Sequence, residues 1–77
     1  MTLKIISAEE IVFEGEVQLV TLPGSKGRFT VLDHHASIIS CLDAGTLEYV
    51  SDGERNTMNI DGGLVDVDNN VVSVCLY

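Results

Sequence analysis

Tryptophan is absent from this 77-residue chain and phenylalanine occurs twice, so its core must be built from valine, leucine and isoleucine. A domain of this size hides only about 60% of the surface that its unfolded chain exposes. Its core is therefore modest and would gain from a partner. Basic residues are also scarce, with four Lys plus Arg against twelve Asp plus Glu and a formal net charge of −8. Such a field repels phosphate backbones and anionic headgroups, which argues against nucleic-acid binding and against direct adsorption to a membrane. No apolar run approaches the ~20 residues of a membrane span, and the opening MTLKIISAEE lacks the long apolar core of a signal peptide. Work at a membrane would then require another protein to hold the chain there. Cysteine is limited to Cys41 and Cys75, each inside an apolar run and without CxxC spacing. Both read as small hydrophobes in the core; a disulfide or metal pair is the lesser alternative, and a reducing cytosol is the expected compartment.

A helical period over ten or more residues is missing as well. What is present is a series of short β-rich segments punctuated by turns. Leu3–Ser7 places Leu3, Ile5 and Ser7 on one face. Ile11–Phe13 follows, then Glu16–Leu22, with Val17 and Leu19 on the face opposite Gln18 and Val20, and Gly15 as a turn or bulge between them. Pro23 to Gly27 reads as a loop, because proline fixes φ and glycine supplies a positive one. Arg28–Leu32, Ala36–Leu42, Thr46–Ser51, Arg55–Ile60, Leu64–Asp68 and Val71–Leu76 are further strands. Asp52-Gly53 is a strong hairpin signal, since both central positions of a type I′ turn need positive φ, and Asn69-Asn70 makes the same connection between the last two strands. The pattern predicts an all-β fold, a sandwich or barrel.

Catalysis would need a nucleophile, a base and an orienting group, and the candidates are thin. Asp33, His34 and His35 are contiguous, but neighbouring side chains on an extended backbone point to opposite faces. The two imidazoles therefore do not converge on one metal, and the chain has no third histidine. Gly24-Ser25-Lys26-Gly27 lacks the GxxxxGK(S/T) spacing of a phosphate loop, and no helix follows it. Glu14 and Glu16 share a face, as do Asp66 and Asp68, the pattern of a solvated sheet. Ligand spacing for calcium is absent. The chain reads as non-catalytic, without cofactor or metal. Lys26 and Arg28 remain, the only close basic pair in an acidic chain, readable either as loop solvation or as a docking element.

The order Leu22-Pro23-Gly24, Gly27, Phe29–Leu32, His35-Ala36, Gly45-Thr46-Leu47-Glu48-Tyr49, Gly62-Gly63-Leu64-Val65-Asp66-Val67 and Asn70-Val71-Val72-Ser73-Val74 resembles the epsilon subunit of the F-type ATP synthase. Leu3–Val20, with its Phe13-x-Gly15 step, fits the family's first strands. The resemblance implies a flattened antiparallel β-sandwich of about ten short strands over residues 1–77 and a non-catalytic rotor part of the central stalk. Such a subunit binds the gamma subunit and the c-ring, couples proton translocation to ATP synthesis, and leaves catalysis to the alpha–beta hexamer. It sits at the cytoplasmic face of the bacterial inner membrane without inserting. By the family pattern, Gly24, Ser25, Lys26, Gly27 and Arg28, together with Asp33, His34, His35 and Ala36, face the c-ring or its junction with gamma. The run from Ser37 through Ile39 to Leu42 leads towards gamma contacts.

Three departures from the pattern carry expectations. Arg28 stands where many members have an acidic residue, so a compensating acid is expected on the c-ring loop. Asp33-His34 replaces a Pro-Gly and Ser37 a proline, so the turn there is expected to differ. The family's two-helix C-terminal domain, which can block rotation, has no counterpart in these residues, so no inhibition of ATP hydrolysis is expected from them. A free-standing β-sandwich module that binds a ligand or a peptide along a sheet edge is the alternative.

Overall fold

The computed structural model describes every residue from Met1 to Tyr77. It contains nine strands and no helix: β1 (Thr2–Ile6), β2 (Ile11–Glu16), β3 (Leu19–Gly24), β4 (Gly27–Leu32), β5 (Ile38–Leu42), β6 (Gly45–Ser51), β7 (Glu54–Ile60), β8 (Gly63–Asp68) and β9 (Val71–Leu76). Eight of them form four hairpins. β1–β2 and β8–β9 join through a parallel β1–β9 pair, and β5 adds beside β8, giving one layer in the order β2-β1-β9-β8-β5. β3–β4 and β6–β7 pair through β3 and β6 to give the other layer, β4-β3-β6-β7. At Gly24↔Leu42, β5 also touches β3, so the layers are one sheet folded over itself and hinged at that corner.

Alternation explains the core. Leu3 and Ile5 on β1, Val20 and Leu22 on β3, Val65 and Val67 on β8, and Val72 and Val74 on β9 are buried, and their neighbours along each strand are less so. Val31, Leu42, Leu47 and Ile60 join them from the remaining strands. Phe13 and Tyr49 meet across the layers with ring centroids 4.4 Å apart, closing the side away from the β3–β5 corner. The buried residues are all non-aromatic apolar side chains or glycines, as the lack of tryptophan requires.

Two hairpin turns form as their residues predict: Asp52 and Gly53 take φ of 53° and 76°, and Asn69 and Asn70 take 50° and 63°. Elsewhere the structure corrects the sequence reading. Gly15 lies within β2, opposite Leu3. The break comes at Val17-Gln18, where the Val17 N–H donates to Met1 and the Gln18 N–H to Val50 as the chain crosses between layers. That corner shifts the phase, so Val17 and Val20 are buried and Leu19 is only half-buried. Pro23 and Gly24 belong to β3, leaving Ser25-Lys26 as a two-residue turn. β5 starts at Ile38 rather than Ala36, because Asp33–Ser37 is held by side-chain contacts instead of a ladder. Cys41 and Cys75 are exposed free thiols, not core residues. Each lies opposite Leu64 in register, on the outer side of its layer.

Candidate docking surface

The β3–β4 hairpin tip is braced from behind. The Ser25 N–H donates to the Cys41 carbonyl and the Asp43 N–H to the Pro23 carbonyl, each at 2.9 Å, and the Ser25 hydroxyl donates to Asp43 Oδ1 at 2.9 Å. Gly24 is buried, while Ser25, Lys26, Gly27 and Arg28 are exposed. The basic pair is divided by its surroundings. The Arg28 guanidinium folds back to donate to the Thr46 carbonyl and lies 3.9 Å from Glu48, whose other oxygen takes Arg55 at 2.7 Å. Lys26 takes part in none of the chain's ion pairs and is the charge that the tip presents.

The second segment named from the sequence, Asp33 to Ser37, lies at the other end of β4, roughly 17 Å away along the strand. All five residues are exposed, and each link in the loop has a partner. Asp33 Oδ1 accepts from the Met1 α-ammonium at 2.8 Å, with Glu16 on its other side at 3.3 Å. His34 takes a left-handed φ of 62°, which lets its N–H donate to Asn70 Oδ1 at 2.8 Å. The His35 N–H reaches the Leu32 carbonyl, and its ring Nδ1 sits 2.7 Å from the Ala36 carbonyl. Ser37 donates to Asp68 Oδ1 at 2.9 Å. No group of three or more His, Cys, Asp or Glu side chains is arranged to hold a metal ion.

The Met1–Asp33–Glu16 cluster also sets protonation. Hydrogen bonding to Asp33, assisted by Glu16, raises the ammonium pKa above its ordinary value against the opposing effect of desolvation. Asp33 is held below the usual carboxylate range chiefly by that ammonium. Glu16 is lowered first by the Thr2 hydroxyl, which donates to it at 2.8 Å, and then by the ammonium.

β5 links the two segments. Ile39 lies at the centre, 75% exposed. On one side it shares a shallow depression with Ser25, Lys26 and Cys41; on the other it shares one with Ser37, Asp66 and Asp68. The tip and Ser37 thus become neighbours through Ile39, whereas His34 and His35 stay apart from both depressions. Sequence reasoning missed Asp66 and Asp68 as flanks of Ile39. The signal that could have found them is the Ile39↔Asp66 register, which follows only once β5 is paired with β8.

Residues 1–76 match the family described as ATP synthase, Delta/Epsilon chain, beta-sandwich domain. Similar curated proteins include the ATP synthase epsilon chain of Leptospira borgpetersenii serovar Hardjo-bovis, 34% identical over 74 residues, covering 96% of this chain and 58% of the relative. The ATP synthase epsilon chain of Campylobacter fetus is 40% identical over 73 residues, covering 94% and 57%. This chain therefore spans little more than half the length of the curated relatives it matches. Among solved structures, a chain of the Euglena gracilis mitochondrial ATP synthase, in a structure of OSCP, F1 and c-ring, superposes with a TM-score of 0.90 at 26% identity, covering 96% of this chain and 48% of that one. A chain from the central stalk and c-ring of the Tetrahymena thermophila mitochondrial enzyme shares the fold, with a TM-score of 0.81 at 13% identity. With every strand of the sandwich inside the matched residues, this chain belongs to the β-sandwich family of ATP synthase delta and epsilon chains.

Proposed function

We propose that this sandwich is a non-catalytic central-stalk component of an F-type ATP synthase, docking on the gamma subunit and the c-ring and helping to couple proton translocation to ATP synthesis. The match over residues 1–76 is the observation that carries this reading. The braced tip Gly24–Arg28, the stitched loop Asp33–Ser37 and the exposed Ile39 between them are the contact surface. A rotor part must carry load without deforming, and both segments are cross-tied to neighbouring strands rather than left as free loops. In this role the chain acts at the cytoplasmic face of the bacterial inner membrane, held there by its partners, while ATP chemistry stays with the alpha–beta hexamer. Its acidic surface, with net charge −8, suits protein contacts and disfavours lipid.

Affinity capture with the gamma subunit from the same organism tests the reading. Tagged chain is expected to retain gamma through washes in physiological salt, and Lys26→Glu is expected to weaken co-purification of the c-ring while leaving gamma bound. Failure of the unaltered chain to retain gamma would refute the proposal.

A further inference from the structure

One end of the sandwich converges on Met1. Its carbonyl accepts from the Val17 N–H at 2.9 Å, and the Thr2 N–H donates to the Asn70 carbonyl at 3.1 Å. The Met1 side chain is buried with the core, so the α-amino group is fixed in place rather than carried on a free end. An ammonium group has three N–H donors, and three acceptors surround this one. They are Asp33 Oδ1 at 2.8 Å, the Val17 carbonyl at 3.3 Å and Glu16 Oε2 at 3.3 Å. Two come from the corner that ends β2, and the third comes from the loop between β4 and β5.

The two carboxylates are not held alike. Glu16 sits in β2 and takes a second bond, from the Thr2 hydroxyl at 2.8 Å. Asp33 lies outside any strand, and its ion pair is with the ammonium alone. From Asp33 the loop runs through the left-handed His34, tied to Asn70, to Ser37, tied to Asp68. The ammonium thus pins the loop at its first residue. We infer that the Met1 α-ammonium is the positioning group of the docking loop Asp33–Ser37, setting that loop only while the nitrogen is unacylated. The inference rests on the stalk reading for the loop's partner and on this geometry for the loop's order.

An acyl group converts the ammonium into a neutral amide with a single N–H. Two of the three acceptors then lose their donor, and the charge between Asp33 and Glu16 disappears. Both carboxylates lie within 3.3 Å of that one nitrogen, so without its charge they repel at close range. Glu16 is tied to Thr2 and to its strand, so Asp33 gives way and draws His34 off Asn70. A peptide bond to the Met1 nitrogen acts on the loop as a formyl group does.

The full chain, assembled from two synthetic segments joined at Cys41 and carrying a free or formylated Met1 nitrogen, tests this. At fixed pH, the His34 amide is expected to exchange about fivefold faster in the formylated chain, the worth of one hydrogen bond. The β9 amides should be unchanged, because the opening is local. In Asp33→Asn the repulsion is absent, so formylation should no longer accelerate His34, whereas the bulk of the formyl group would act in both backgrounds. The c-ring from the same source should bind the formylated chain about fivefold more weakly than the free one. Equal His34 exchange in the free and formylated chains overturns the inference. So does acceleration that persists in Asp33→Asn, and so does equal affinity for the c-ring. Should the formylated chain not fold, the free Asp33→Asn chain decides: faster His34 exchange upholds the inference and unchanged exchange overturns it. Binding of the c-ring by neither chain refutes the stalk reading, and His34 exchange then still decides the positioning of the loop.

Discussion

Gly63→Ala tests the packing argument most directly. Gly63 opens β8 between two strands, opposite Leu76 on β9 and Leu42 on β5. A Cβ there would fall far inside van der Waals contact of the Cys75 carbonyl oxygen, 3.1 Å from the carbonyl carbon and 3.2 Å from the Leu76 Cα. These are backbone atoms, so no rotamer change relieves the clash and the end of β9 must move away. Overpacking of this kind costs about 1–3 kcal/mol. The displacement also endangers the pairing at Gly63↔Leu76 and the 3.2 Å bond from the Tyr77 N–H to the Gly62 carbonyl, about 1 kcal/mol each. Lower entropy of the unfolded alanine chain returns about 0.4–1 kcal/mol. The net loss is then about 2–5 kcal/mol, or at least roughly 8 °C in Tm for a domain of this size. Thermal and urea unfolding followed by circular dichroism measure it, with Gly53→Ala as the comparison. Gly53 has φ of 76° and nothing within 4 Å of an added Cβ, so only left-handed strain of about 1 kcal/mol applies there. If Gly63→Ala destabilises no more than Gly53→Ala, the reasoning is wrong.

Two further outcomes follow from the cluster at Met1 and from the outer face. The folded pKa values of Glu16 and Asp33 lie below their ordinary values, so their stabilisation is present above the ordinary carboxylate range and lost as pH falls through the folded values. That of the Met1 ammonium is raised, so its contribution is present below its ordinary value of about 8 and lost as pH rises through the folded one. Tm against pH should therefore decline at both ends, and acetylating the α-amino group together with Asp33→Asn should flatten both limbs; an unchanged profile would count against the cluster. Cys41 and Cys75 flank Leu64 in register, two strand spacings or about 10 Å apart, too far for a disulfide. Both thiols should react with a colourimetric thiol reagent in the folded chain, two per molecule, and mild oxidation should give no intramolecular bridge.

Turn chemistry and alternation are readable without coordinates because each is local. Asp52-Gly53 and Asn69-Asn70 announce left-handed turns by residue type, and Leu3/Ile5 and Val65/Val67 announce an inward face by period. Corners between layers are not local. At Val17-Gln18 nothing in the side chains marks the crossing; it is fixed by the distant carbonyls of Met1 and Val50, and Gly15 nearby is the more conspicuous residue. Apolar context puts the cysteines on the wrong side for a related reason. Val71, Ser73 and Cys75 alternate with Val72, Val74 and Leu76, and both sets are largely apolar, so composition cannot choose which set faces the core. In the candidate surface, Gly24 and Gly27 mark a reversal near Ser25-Lys26, but the brace behind it comes from the distant Cys41 and Asp43. The meeting of Lys26, Ile39 and Asp66 depends on β5 running from one layer to the other, which only the three-dimensional pairing shows.

The division of positive charge bears on what the tip can recognise. Two of the four basic residues, Arg28 and Arg55, converge on Glu48, and Lys4 lies in register beside Glu14, so Lys26 is the charge left facing outward from the hairpin. An acidic c-ring loop, expected from the arginine at position 28, would therefore meet Lys26 first. Exposed ion pairs such as Arg28–Glu48 stabilise by only about 0.2–1 kcal/mol, and Arg55 stays on Glu48 if Arg28 leaves. Releasing Arg28 towards a partner thus costs little compared with a charge pair shielded inside an interface. The same tip offers one positive charge to a neutral loop and two to an acidic one, within an otherwise acidic surface that repels acidic partners everywhere else.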